Sequence, residues 1–190
     1  MNTPGHVAVN LALLGKKGKP EFSLPAIAGA LVPDAPIYIF YLYQKLFVSI
    51  SEHEIWADAY FRPHWQLVFD TFHSIPIALF AALAAYRLGG SAWTIYFLSM
   101  ALHAVFDFPL HGDDAHRHFF PLSNYRFESP VSYWDPRRYG LVASIAEIGA
   151  VMGASGVIWV RKNGMMDRVA VIVVFLFYAV GFAFAYHYHF

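Results

Sequence analysis

At 190 residues the chain has room for one domain, or at most two small ones. Apolar residues make up 58%, aromatic residues 18% and charged residues 14%, too few charges to cover a soluble globule and too many aromatics for disorder. Thirteen basic and thirteen acidic side chains cancel, so no global field recruits nucleic acid, and the absence of cysteine rules out disulfides and thiolate metal sites. The class left is an all-α integral membrane protein, a single domain over residues 1–190.

Taken in chain order, the pattern predicts a bundle of five or six helical segments. Thr3 to Leu14 starts with Thr3 as N-cap and Pro4 at the first helical position, and is long enough for roughly half a bilayer. Phe22 to Gln44 is uncharged except for Asp34, within Pro33-Asp34-Ala35-Pro36. Two prolines so close remove backbone donors and disfavour continuous helix, so a broken helix is expected there. Residues 51–71 read as an aromatic, acidic loop. Thr71 to Tyr86 and Ser91 to Phe106 form a short apolar hairpin about Arg87-Leu-Gly-Gly. A long loop follows, and Leu141 to Val160 and Val169 to Tyr186 are apolar enough to span.

Charges in the connecting segments sum to +5 on one side and −4 on the other. By the positive-inside rule the basic side is cytoplasmic and both long loops face outward. Their aromatic residues, with His53 and His64, are expected to anchor at the headgroup level.

The strongest chemical signal is His103-Ala-Val-Phe-Asp107, whose four-residue spacing puts imidazole and carboxylate on one helical face. Such a pair can bind a divalent ion, nitrogen and oxygen donors being suited to zinc; the alternative is a hydrogen-bonded pair without an ion. Asp34, in the broken helix, needs a partner at membrane depth, and His6 can lie at a comparable depth. His73 is expected to open the third helix, where it can meet His103 and Asp107. Just beyond them lies the dense run His111-Gly-Asp113-Asp114-Ala-His116-Arg117-His118, and such clusters mark sites. Spacing alone leaves open which of its three histidines acts. Glu147 can be a base, a supporting carboxylate or an interhelical bond. His187 and His189, alternating in the C-terminal segment, are given no role. No Gly-x-Ser-x-Gly elbow, phosphate-binding glycine loop or His-Glu-x-x-His motif occurs.

The order Thr3-Pro-Gly-His6, Leu31-Val-Pro-Asp34, His73-Ser74, His103-x-x-x-Asp107, then Phe120-Pro-Leu-Ser123 before Arg126 resembles the YdjM-like (DUF457) membrane-bound metal-dependent hydrolases of the bacterial inner membrane. The resemblance covers residues 3 to about 138; the last two helices match only as generic spans. That family is similar in turn to zinc-dependent phospholipase C and the S1/P1 nucleases. The resemblance implies metal ligands at His6, Asp34, His73, His103 and Asp107. The later His-x-x-x-Glu pair of the phospholipases has no counterpart, since Ala143 stands four residues before Glu147, and the chain starts Met1-Asn2 rather than with a tryptophan ligand. One or two zinc or manganese ions are therefore expected rather than three.

The function expected is metal-assisted hydrolysis of a phosphoester or other ester in a lipid-like substrate at the outer face of the inner membrane. Asp114 or His111 would handle protons, and Arg117 or Arg126 would hold an anionic headgroup through a bidentate fork. Two other classes fit parts of the pattern. A proton or ion conduit through Asp34, His6 and Glu147 would need polar residues continuing to the cytoplasmic side, and a scaffold with structural histidines would bind no stoichiometric metal.

Overall fold

A computed structural model describes residues 1–161 and 164–189, with side chains described through residue 181. The side chains of His187 and His189 thus lie outside the described residues. Among these residues the fold is all-helical: α1 (Thr3–Leu14), α2 (Ser23–Leu31), α3 (Ala35–Tyr43), α4 (Glu52–Ala57), α5 (Pro63–Phe72), α6 (Ile75–Arg87), α7 (Ser91–Asp107), α8 (Gly140–Val160) and α9 (Met165–His189). Residues 108–135 are turns and irregular chain, the long connection expected before the last two helices.

The break about Asp34 is present, and α2 and α3, with their flanking turns, meet at a bend of 47°. Two other expectations change. Residues 51–71 are not a loop, because they hold α4 and α5. A capping box starts α4: Ser51 Oγ accepts from Glu54 N and the Glu54 carboxylate accepts from Ser51 N. Pro63 opens α5, and buried Gln66, Phe69 and Asp70 recur on one face of it. His73 consequently closes α5 rather than opening the next helix. Ser74 caps α6, its hydroxyl accepting from Ile77 N at 3.1 Å. At the first helix the N-cap is Asn2, and Thr3 is already helical.

Helix α1 is the axis of the molecule. Val7 and Ala8 pack with Ala30, Val151 and Val174, and one turn on Leu11 and Ala12 pack with Ala26, Ile158 and Val171. The small residues of α2 let its backbone approach α7, and at Gly29 an added Cβ would run into the Tyr96 carbonyl. A second, aromatic core of Phe40, Ile55, Ala59, Tyr60 and Phe69 joins α3, α4 and α5 at one end.

One described helix, Gly140–Val160, is long and apolar enough to cross a membrane, and up to three spans result if each bent helix pair counts as one. Leu141, Val142, Ile145, Met152 and Val160 on α8 are exposed. Apolar surface of this extent is the mark of a helix that meets lipid or another chain. The hairpin α6–α7 is shorter than a span in each arm: α7, with 17 residues, is about 25 Å long.

Candidate metal centre

Three helix ends bring the candidate ligands together. The last turn of α7 supplies His103 and Asp107, the bend before α3 supplies Asp34, and the break between α5 and α6 supplies His73. Ends and breaks suit this task, since each side chain leaves its helix beside backbone groups that have no helical partner. His73, His103 and Asp107 are buried and Asp34 is half-buried. One donor atom from each of the four lies within 4.8 Å of all the others.

The imidazole orientations follow from hydrogen bonding. His103 Nδ1 lies 2.8 Å from the Ala30 carbonyl, and His73 Nδ1 lies 2.9 Å from the Phe69 carbonyl. A carbonyl only accepts, so both Nδ1 atoms carry the proton and both Nε2 atoms of the neutral rings present lone pairs. Those Nε2 atoms are buried and without a hydrogen-bond partner. Each stands 3.4 Å from Asp34 Oδ1, and they lie 3.1 Å (His103) and 3.9 Å (His73) from Asp107 Oδ2. Lone pairs of two nitrogens and two carboxylate oxygens thus converge. The arrangement needs positive charge, from a ring proton or a bound ion, and the quartet could hold a divalent cation, with carbonyls fixing the imidazoles as supporting groups do in metal sites.

His6, the fifth expected ligand, sits beside this quartet. Its Nε2 is 2.9 Å from Asp107 Oδ1, an oxygen also approached by the Met1 amino group at 2.7 Å, and its ring stacks on His103 at 3.7 Å. Thr3 Oγ1 binds Asp34 Oδ2 at 2.5 Å, which leaves Oδ1 for the imidazoles. Thr3 was legible only as a helix cap.

The dense His/Asp run divides. His111 Nδ1 donates to Asp114 Oδ2 at 2.8 Å, where Trp134 Nε1 also donates at 3.1 Å, and His111 Nε2 lies 3.7 Å from Asp107 Oδ1. Burial disfavours the imidazolium of His111, but its bonds to Asp107 and Asp114 outweigh that and carry its pKa up to about 9. His116 stacks on His73 with centroids 4.0 Å apart. Burial holds His116 neutral and takes His118 down to about 3. His118 Nδ1 donates to the His116 carbonyl, and its buried Nε2 has no partner.

Arg117 and Arg126 point elsewhere. Asp70, a residue to which the sequence drew no attention, accepts from Arg117 N at 2.8 Å, Arg117 Nε at 2.5 Å and Arg126 Nη2 at 2.9 Å. Arg126 Nη1 also donates to the Ala115 carbonyl and Arg117 Nη1 to Asn124 Oδ1. Neither presents a free fork, so this arrangement does not supply the headgroup-holding role expected of them. Glu147 Oε1 accepts from Asn2 N at 3.1 Å, from Asn2 Nδ2 at 2.9 Å and from the Tyr178 hydroxyl. It ties the start of α1 to α8 and α9, the interhelical option of the three expected for it.

Above the quartet opens a cleft of about 1020 Å³. Asp34, Asp107, His111 and His116 line it together with Trp56, Tyr60, Tyr133 and Trp134. His53 is exposed and is at this cleft too, whereas His64 lies outside its lining. Compared with known proteins, the chain matches no family model, no curated protein and no solved structure.

Proposed function

We propose that the chain is a membrane-embedded, metal-dependent hydrolase that cleaves a phosphoester or other ester of a lipid-like substrate, as its resemblance to the YdjM-like proteins implies. The observation that carries this reading is the pair of buried, partnerless Nε2 atoms of His73 and His103, aimed with Asp34 and Asp107 at one point beneath a large cleft. Two imidazoles and two carboxylates suit zinc, with manganese as the other candidate. His6 and the second oxygen of Asp107 are where another ion would find ligands. Such an ion supplies Lewis acidity and lowers the pKa of water near it. The chain's own contribution is positional. Asp114 holds the Nδ1–H of His111, which directs Nε2 toward Asp107 and makes His111 the group placed to exchange a proton in the cleft. Trp134 and the Gly112 amide fix Asp114 in turn.

The reading places the chain as a multi-pass protein of the bacterial inner membrane, cleft outward, on the strength of the charge asymmetry and the exposed apolar helix surface. The cysteine-free background allows a direct check. Asp113→Cys should react with an impermeant maleimide on intact cells, and Gly164→Cys only after permeabilisation. The reverse pattern would put the cleft in the cytoplasm.

The decisive experiment is elemental analysis of protein purified in detergent without chelators. One or two zinc or manganese ions per chain are expected, and Asp34→Asn should lose them while still folding, because a neutral amide costs less to bury than a carboxylate. A metal-free protein that cannot be reloaded, or an Asp34→Asn variant with full metal content, overturns the assignment.

A further inference from the structure

The polar atoms at the cleft can be sorted into donors and acceptors, and the sorting bears on what the cleft takes. Thr3 Oγ1 is 2.5 Å from Asp34 Oδ2 and 2.9 Å from the Tyr38 hydroxyl. A carboxylate only accepts, so the single Thr3 hydroxyl proton goes to Asp34. Tyr38 must then be the donor in the other bond. With its proton spent on Thr3, Tyr38 Oη has only lone pairs to offer, and Tyr38 lines the cleft with 54% of its surface exposed. The Trp134 indole N–H, the only donor of that ring, is spent on Asp114. Arg137, an exposed guanidinium at the cleft, has its charge balanced by Asp135, which it holds through Nε and Nη2, each at 3.1 Å. Two further carboxylates line the same cleft: Glu52, paired with Lys45 at 2.8 Å, and Asp113. With Glu52, Arg137 and Asp114 each balanced by a partner, the cleft still offers the Asp113 carboxylate, the Tyr38 lone pairs and ring faces, which attract cations.

We propose that the cleft selects a lipid ester whose headgroup is a donor-bearing cation, a primary ammonium, and that Tyr38 Oη is the acceptor that reads it. This rests on the hydrolase reading in taking the His/Asp quartet as the reacting end; it names the substrate class at the other end. An anionic headgroup would meet Asp113. A quaternary ammonium would keep the charge and aromatic contacts but have no N–H for Tyr38.

The test uses full-length, detergent-purified protein stripped of metal, so that no turnover intervenes, with tryptophan fluorescence as the signal. Probes are dihexanoyl phosphatidylethanolamine, phosphatidylcholine and phosphatidic acid. The ethanolamine lipid should bind about tenfold more tightly than the choline lipid, the scale of one hydrogen bond to a charged group, and phosphatidic acid most weakly. Tyr38→Phe should bring the ethanolamine and choline lipids within about twofold of each other while zinc content on reloading is unchanged, an outcome a merely structural tyrosine would not produce. Thr3→Val releases the Tyr38 proton and should narrow the gap between phosphatidic acid and the rest. Glycerophosphoethanolamine, the same headgroup without acyl chains, should bind more weakly than the diacyl form; equal binding overturns the lipid part of the proposal. Choline lipid binding as tightly as ethanolamine lipid in the wild type, or phosphatidic acid binding best, overturns the headgroup assignment. Failure of the hydrolase reading shows separately, as absence of metal on reloading with the lipid preference intact.

Discussion

Asp70 and Asp107 are both buried carboxylates at helix ends, and they differ in what meets their oxygens. Asp70 is closed: three N–H groups from Arg117 and Arg126 converge on its two oxygens. Asp107 is closed on one side only: its Oδ1 meets the Met1 amino group and His6, whereas the nitrogens at its Oδ2 are the Nε2 atoms of His73 and His103, which have no hydrogen-bond partner. Around Asp70 the charges are satisfied by the chain itself, and the result is architecture that pins residues 117–126 onto α5. Around Asp107 Oδ2 the ring nitrogens and the Asp34 carboxylate converge on a point that could hold a cation. Neither burial nor density of charge separates a site from a scaffold here; the unfilled donor and acceptor capacity does.

The comparison breaks most visibly under substitution. Asp70→Ala leaves two partly buried guanidinium groups without their carboxylate and should cost about 3–5 kcal/mol of stability, with metal per folded chain unchanged. Chemical denaturation and elemental analysis on one preparation check it. A silent Asp70→Ala would remove the contrast between the two carboxylates. Chelation attacks the other side. If ion binding reaches a thousandfold its dissociation constant, stripping the wild type should lower its stability by about 4 kcal/mol, and an Asp107→Asn protein should be nearly insensitive to the chelator. His103→Gln comes next. It should weaken metal binding by more than the 10–100-fold typical of supporting residues, yet cost the stripped protein only about 1–2 kcal/mol for the lost bond to Ala30. Equal loss of stability and metal in both variants would mean that the two centres are one structural unit.

Half of this contrast was legible in the sequence. The His103-x-x-x-Asp107 spacing places both groups on one helical face whatever the tertiary fold, and Pro33 and Pro36 force the break that frees Asp34. Helix α1 was likewise readable, bounded by Pro4 and Gly15. Asp70 was not, because its partners stand 47 and 56 residues away and no local spacing announces them. A signal for its helix did exist. Pro63 followed by Gln66, Phe69 and Asp70 at helical intervals marks an amphipathic segment, masked by aromatic residues that read equally well as an interfacial loop. The engagement of Arg117 and Arg126 with Asp70 was hidden for the same reason: a guanidinium near a His/Asp run looks available until its long-range partner is known. The contact of Thr3 with Asp34 and Tyr38 carried no signal, since it depends on α1 and α3 meeting.

A third buried carboxylate, Glu147, lies between the two extremes and gives the smallest and most discriminating prediction. Its Oε1 is saturated by Asn2 N, Asn2 Nδ2 and the Tyr178 hydroxyl, while Oε2 is buried without a partner. Tyr178→Phe removes one donor and leaves two on the same oxygen, so no further buried group is orphaned. The cost should be that of one interhelical hydrogen bond in a membrane, about 0.6 kcal/mol. Metal affinity should not move, because Asn2 still holds the start of α1 and Thr3 still reaches Asp34. Glu147→Ala differs in kind. It releases both Asn2 donors together, so the segment that carries Thr3 and His6 loses its anchor to α8. If Glu147 acts through that segment, Glu147→Ala should lower metal affinity several-fold, Glu147→Gln should restore most of it by offering an amide oxygen to Asn2, and Tyr178→Phe should stay silent. If Glu147 instead reaches an ion through its free oxygen, Gln should fail as badly as Ala. Metal titrations of the three variants decide which of the two centres Glu147 resembles: Asp70, closed by the chain, or Asp107, closed on one side only.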